Sequence, residues 1–119
     1  MKSMVTLKLN KEFKRAYYRG GFRSSPILTS YLIPNGLGMT RIGITTPKKI
    51  GKAVQRNRCR RVIRAAYRTV KEKLIFPQGY DLVFVAREQT VYETSTAVAA
   101  VMEKQLYALI HDKPRKKKK

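Results

Sequence analysis

Arg56, Arg60, Arg64 and Arg68 recur every four residues. On a helix that turns about 100° per residue, each step of four drifts only ~40°, so these side chains form one gently winding ridge. Arg58 and Arg61 widen it. The chemistry open to such a ridge is phosphate recognition. A guanidinium offers a planar fork of donors to phosphate oxygens and a flat face to bases. Like charges four residues apart destabilise an isolated helix by about 0.2–0.5 kcal/mol per pair, a cost that a phosphate backbone reverses. The plainer alternative is a solvated basic face. It is disfavoured because no acidic residue occurs from Phe13 through Lys71, where fifteen residues are basic, so the ridge has no nearby internal partner.

Bond-breaking chemistry finds less support. Two-metal hydrolysis needs clustered carboxylates, whereas Glu12, Glu72, Asp81, Glu88, Glu93, Glu103 and Asp112 are scattered. No catalytic residue is therefore expected. His111 stands alone near a basic terminus and reads as solvent-exposed. Cys59 falls on the apolar side of the arginine helix and reads as a small core residue. One cysteine and one histidine cannot assemble a tetrahedral zinc site, and neither a metal site nor a bound cofactor is expected. A single cysteine excludes an intrachain disulfide and fits a reducing cytoplasm.

The elements that must position the ridge belong to a chain of 119 residues, one domain's worth, with 43% hydrophobic content and a formal net charge of +20. That charge calls for a polyanion. A membrane is the poorer candidate. No apolar run approaches the roughly 18 residues of a spanning helix, and Met1–Asn10 lacks the apolar stretch of a signal peptide. Asn10 is expected to cap a first helix reaching Arg19, with Phe13, Ala16 and Tyr17 on its apolar face and Gly20-Gly21 as its stop. Ile27–Ile33 reads as a strand. Asn35-Gly36 is a turn signal, with Met39–Thr45 as the return strand. A basic loop, Lys48-Lys49-Ile50-Gly51-Lys52, leads into a long helix over Ala53–Leu74. Its buried stripe is Cys59, Val62, Ile63, Ala66, Tyr67, Val70 and Leu74. Asp81–Ala86 is an interior strand, after a connection ended by Pro77 and Gly79. Thr90 and Glu93 read as a capping box for a last helix with Thr94, Val98, Val101, Met102, Leu106 and Leu109 on its stripe. The order α-β-β-α-β-α, with a β-α-β unit at its centre, gives an α+β class: a small sheet packed by helices. One domain over residues 1–112 is expected, followed by a flexible basic tail over residues 113–119. The aromatics Phe13, Tyr17 and Tyr31 could stack bases, although an aromatic at helical spacing is more often core.

The run Arg41-Ile42-Gly43-Ile44-Thr45-Thr46-Pro47-Lys48-Lys49-Ile50-Gly51-Lys52-Ala53-Val54-Gln55-Arg56-Asn57-Arg58-Cys59-Arg60-Arg61-Val62-Ile63-Arg64 resembles the signature of the bacterial ribonuclease P protein. Asn10-Lys11-Glu12-Phe13, with Tyr17 and Gly20, resembles the family's first helix, and Gly79–Arg87 its strand after the long helix. The resemblance spans about Leu7 to Leu109. It implies the family's left-handed β-α-β crossover, in a ribosomal protein S5 domain 2-like fold. It also implies a role as accessory subunit of a ribozyme endonuclease, in which a large RNA carries the catalysis and the Mg²⁺ while the protein binds the single-stranded 5′ leader of precursor tRNA and the catalytic RNA. On this resemblance Phe13, Tyr17 and Tyr31 would line the leader cleft and Arg56, Asn57 and Arg60 would border it. Lys48, Lys49, Lys52, Arg58, Arg61, Arg64 and Arg68 would face RNA backbone. No further protein partner is implied. The chain departs from the family pattern at Thr46-Pro47, before the long helix, and at Thr29, where an apolar cleft residue is common.

Composition alone leaves two rivals: a structural ribosomal protein, set aside mainly by the Lys48–Arg64 run, and a DNA-compacting protein, distinguished by competition between duplex DNA and leader-bearing tRNA.

Overall fold

The computed structural model describes residues 5–74 and 79–111. The expected basic tail and Pro77 lie outside them. The elements in order are β1 (Val5–Thr6), α1 (Asn10–Arg19), β2 (Gly21–Ser24), β3 (Leu28–Pro34), β4 (Arg41–Thr45), a 3-10 turn (Lys48–Ile50), α2 (Ala53–Val70), β5 (Tyr80–Ala86), a second 3-10 turn (Glu88–Tyr92) and α3 (Ser95–His111). The strands form one mixed sheet in the order β1-β4-β5-β3-β2. The α+β class and the β-α-β unit are as expected: α2 joins β4 to β5, which are parallel neighbours.

The sheet separates two apolar layers. Leu28, Leu32, Ile42, Leu82, Phe84 and Ala86 point toward α2 and α3 and meet their buried stripes. The alternate residues Ile33 and Val83, joined by Tyr31 and Val85, point the other way and pack with Leu7 beneath Phe13, Ala16 and Tyr17 of α1. This is the two-residue period of a strand acting on both faces. On β4 it sends Ile42 toward α2 and puts Gly43 under α1. A β-carbon at Gly43 would stand 2.5 Å from the Phe13 ring, so glycine here lets α1 settle directly on the sheet.

Several boundaries differ from expectation. Met39–Thr45 does not return along β3. β5 lies between β3 and β4, antiparallel to the first and parallel to the second. The reason is burial: the run Asp81–Ala86 is apolar enough to be covered on both faces, so it takes the centre of the sheet. The Asn35–Thr40 connection wraps the start of β5 instead, with Gly36 and Gly38 at positive φ and the Asn35 side chain donating to the Met39 carbonyl and to Asp81. Asn10 is the first helical residue and Leu9 occupies the cap position. Glu12 does the capping, accepting the Lys8 and Leu9 amides at 3.1 Å each. Those two amides, followed by the Arg41 charge, hold the Glu12 carboxyl below its ordinary range. α2 stops at Val70, and residues 71–73 form turns. Thr90 belongs to the second 3-10 turn, where its hydroxyl accepts the Arg87 amide and donates to the Ile27 carbonyl. Thr94 caps α3 through the Ala97 amide. β1 and β2 were not expected at all. Both are short and lie at the sheet edges, where too few residues alternate to show a period.

Candidate nucleic-acid interface

α1 crosses the sheet face without covering all of it. Its Glu12 and Arg15 reach the end of the sheet formed by Pro34, Arg41 and Asp81, while Tyr17 leans toward the opposite end and shares a 2.7 Å hydrogen bond with Thr45. The uncovered end is a cleft of about 310 Å³ lined by Phe22, Ser24, Thr29, Tyr31, Pro47, Lys49, Val85, Ala86 and Arg87. Its floor is aromatic. Tyr31 lies stacked against Phe22, with ring centroids 5.5 Å apart, and meets Tyr17 edge-on at 5.0 Å. Burial, and secondarily Tyr17, pushes the Tyr31 phenol above its ordinary range, so this ring stays neutral at physiological pH.

One wall is polar. A single Arg87 nitrogen donates to Ser24 Oγ at 2.8 Å, to the Ser25 carbonyl at 3.1 Å and to Thr29 Oγ1 at 3.1 Å, and Ser24 and Thr29 bond each other at 2.8 Å. Thr29 is thus buried as an acceptor that seats Arg87. Aromatic floor, hydroxyl wall and cationic rim are the parts from which single-strand sites are made: faces for bases and charge for the backbone.

Of the expected cleft residues, Tyr31 is on the floor and Tyr17 braces it. Phe13 sits deeper along α1, over Gly43. Arg56, Asn57 and Arg60 stand outside this depression on the first turns of α2, where Arg60 donates to the Asn57 carbonyl oxygen at 2.8 Å. Lys49, expected to face RNA backbone, lines the cleft; Lys48 and Lys52 are exposed but are not part of its lining. Phe22, Ser24, Val85 and Arg87 were not singled out by sequence reasoning. Phe22 would have required β2 to be recognised. Arg87 carries only the weak signal of a cation one residue past a buried strand.

On α2, Arg61 and Arg68 are exposed and Arg56, Arg60 and Arg64 are half-exposed. Among the described residues none of the five pairs with a carboxylate; the pairs found involve Arg15, Arg41 and Lys73. Arg58 departs from the ridge it was expected to widen. Two residues on, it lies about 160° from Arg56, across the buried stripe. There it donates to the Val91 carbonyl at 2.8 Å and the Glu93 carbonyl at 3.0 Å, tying α2 to the second 3-10 turn. Arg58→Ala is therefore expected to lower stability by about 2 kcal/mol, the scale of charged hydrogen bonds. Arg61→Ala should leave stability within about 0.5 kcal/mol, as exposed positions do. Urea unfolding of both variants checks the contrast, and equal losses would place Arg58 on the ridge after all.

Cys59 is fully buried, and burial raises its thiol above the ordinary range against the opposing charges of Arg58 and Arg60. It is a core residue. His111 is exposed at the end of α3, its ring 4.2 Å from that of Tyr107. Among the described residues no group of three His, Cys, Asp or Glu side chains could hold a metal, and no helix is long and apolar enough to cross a membrane.

The chain is similar to known proteins in sequence and in fold. The family model described as Ribonuclease P matches residues 1–110. The Ribonuclease P protein component of Pelotomaculum thermopropionicum is 45% identical over 87 residues, which cover 73% of this chain and 76% of that protein. That of Clostridium botulinum (strain Loch Maree / Type A3) is 42% identical over 84 residues, covering 71% and 75%. Among solved structures, the Staphylococcus aureus RNase P protein superposes with a TM-score of 0.75 at 25% identity, covering 92% of this chain and all of that one. The RNase P protein from Thermotoga maritima shares the fold, with a TM-score of 0.67 at 24% identity over 92% of this chain and 98% of that one.

Proposed function

The chain belongs to the ribonuclease P protein family and is the protein component that works with an RNA subunit in removing the 5′ leader of precursor tRNA; we propose that it does so by holding the leader while the RNA subunit performs the hydrolysis. The observation that carries this reading is the aromatic-floored, basic-rimmed cleft. Leader bases would stack on Tyr31 and Phe22, with Tyr17 setting the Tyr31 ring and Arg87 and Lys49 meeting phosphates at the rim. Phe13 supports the cleft from beneath α1. Arg56, Asn57 and Arg60 border its approach from α2. The catalytic RNA would dock on Arg61, Arg64 and Arg68, with Lys48 and Lys52 extending that surface. Arg58 holds the turn beside it.

The protein supplies no bond chemistry in this scheme: Mg²⁺ and the attacking water belong to the RNA subunit. Its contribution is electrostatic. Two polyanions must meet, and a +20 chain between them lowers their repulsion and the Mg²⁺ concentration they need. The site of action is the cytoplasm, and no other protein is required.

The test combines this chain with a bacterial ribonuclease P RNA and labelled precursor tRNA at low Mg²⁺ and follows leader release. Strong stimulation over RNA alone, with no cleavage by protein alone, is the expected result. A folded, RNA-bound protein that gives no stimulation would instead point to a ribosomal or general RNA-binding role. Binding to the catalytic RNA should also fall steeply with salt. Five phosphate contacts at about 0.7–0.9 each predict a log–log slope near −4. A slope shallower than about −1 would remove backbone contacts as the main term.

A further inference from the structure

We propose that the outer face of α1, formed by Lys11, Lys14 and Tyr18, is a second contact for single-stranded RNA and holds leader nucleotides that lie beyond the cleft. This inference rests on the leader-binding reading above.

Helix geometry separates two faces of α1. At about 100° per residue, Phe13, Ala16 and Tyr17 point toward the sheet, while Lys11 and Tyr18 point away within about 20° of each other. Lys14 stands about 60° from Tyr17, whose ring meets Tyr31 on the cleft floor. Tyr18 is 75% exposed, between cations. An exposed tyrosine by itself is ordinary, but this one stands where charge has been left uncompensated. Glu12, the only acid on α1, is committed to the Arg41 guanidinium and to two backbone amides. Arg15 is drawn away toward the Pro34 carbonyl and Asp81. Lys11 and Lys14 are exposed, and no carboxylate among the described residues meets either one.

The topology favours a single strand as the occupant. α1 and α2 lie on opposite sides of the sheet, so a strand seated on Tyr31 is on the α1 side, away from Arg64 and Arg68 farther along α2. The helix on that side is α1, only about 10–12 Å across with its side chains. Tyr18 then offers an unpaired base a face, and the two lysines meet phosphates. Aromatic and cation together suit single-stranded RNA better than a duplex, whose bases are already stacked.

The experiment uses the reconstituted ribonucleoprotein and two precursor tRNAs, one with a leader just long enough to fill the cleft and one several nucleotides longer. For the unaltered protein the longer leader should bind roughly tenfold tighter, the scale of one stacked base plus backbone contacts. Lys11→Ala/Lys14→Ala/Tyr18→Ala should abolish that gain and leave the short leader unchanged. The salt slope on the long leader should become shallower by about 1.4, at ~0.7 per lost phosphate contact. Tyr18→Phe should keep the stacking part of the gain and Tyr18→Ala should lose it. Equal weakening on both leaders would overturn the proposal, because the face would then contact the catalytic RNA or the tRNA body. No weakening on either would overturn it as well. Tyr31→Ala, read on the short leader, reports on the cleft alone. If that variant binds normally while the triple variant still loses the length gain, the cleft reading fails and the α1 contact stands.

Discussion

Tyr31→Ala should weaken binding of leader-bearing precursor tRNA by about 1–3 kcal/mol, the range for removing one aromatic platform from under a base. Tyr31 carries more of this than its neighbours because it is the ring both others contact: Phe22 lies flat against it and Tyr17 meets its edge. Removing it takes away a stacking surface and also releases the two rings that shape the rest of the floor. Tyr31→Phe should bind normally, since the ring is kept and its neutral phenol supplies no charge. Affinity for leader-free tRNA should be unchanged in both variants. A side-by-side titration of the two RNAs decides the matter: an equal loss on both would mean that the alanine variant has disturbed the protein rather than the leader contact.

Asp81→Ala should destabilise the fold by about 3 kcal/mol, toward the lower end of the range for removing one partner of a buried ion pair. The Asp81 side chain is fully buried. Arg41 grips it with two nitrogens at 2.9 Å each, Asn35 adds a third bond at 2.9 Å, and Arg15 approaches to 3.7 Å. Without the carboxylate, Arg41 keeps only Glu12, at 3.0 Å, which moderates the loss. The network matters to function because it clamps the far flank of α1, through Glu12 and Arg15, to β4 and β5. α1 in turn carries Tyr17, whose ring meets Tyr31 on the cleft floor.

The same network predicts a pH dependence. Burial alone would raise the Asp81 carboxyl, but the hydrogen bonds from Arg41 and Asn35 and the charges of Arg41 and Arg15 outweigh it and hold the group below its ordinary range. A carboxyl lowered in the folded state stabilises that state fully above its unfolded value of about 3.9 and loses the contribution as pH falls toward the folded value. Wild-type stability should therefore decline below about pH 4 more steeply than that of Asp81→Ala. Urea unfolding at pH 7 and again in that acid range checks both parts. A loss under 1 kcal/mol at pH 7, or parallel acid profiles, would refute the role assigned to the carboxylate.

Much of the architecture was legible because local periodicity is a one-dimensional signal. The stripe Cys59–Val70 and the compact run Asp81–Ala86 announce a helix and an interior strand wherever they occur, and both are where they were expected. The arginine ridge was legible for the same reason. The same periodicity also sets Arg58 across the buried stripe from Arg56.

Other features depended on contacts between residues distant in the chain. The turn signal at Asn35-Gly36 is real, yet nothing local indicates that β5 will be inserted between the strands it joins. That insertion is decided by which strand most needs cover on both faces. β2 leaves no local signal because four residues with glycine at one end show too short an alternation, and Phe22 lies on it. Arg87 joins the cleft only because Ser24 and Thr29 lie across the sheet from the end of β5.

By itself, then, the sequence determined that this is a small α+β protein with an acid-free arginine helix made for a polyanion, and through one long motif it identified the family. Helix period, strand period and net charge are properties of neighbours along the chain, and they survive without a third dimension. Only the tertiary structure decided which rings become the floor of a cleft, that Arg58 ties α2 to the second 3-10 turn, that Thr29 seats Arg87, and that α1 covers part of one sheet face. Each of those depends on strand order and on the angle at which a helix crosses the sheet, which are set by competition for burial among segments many residues apart.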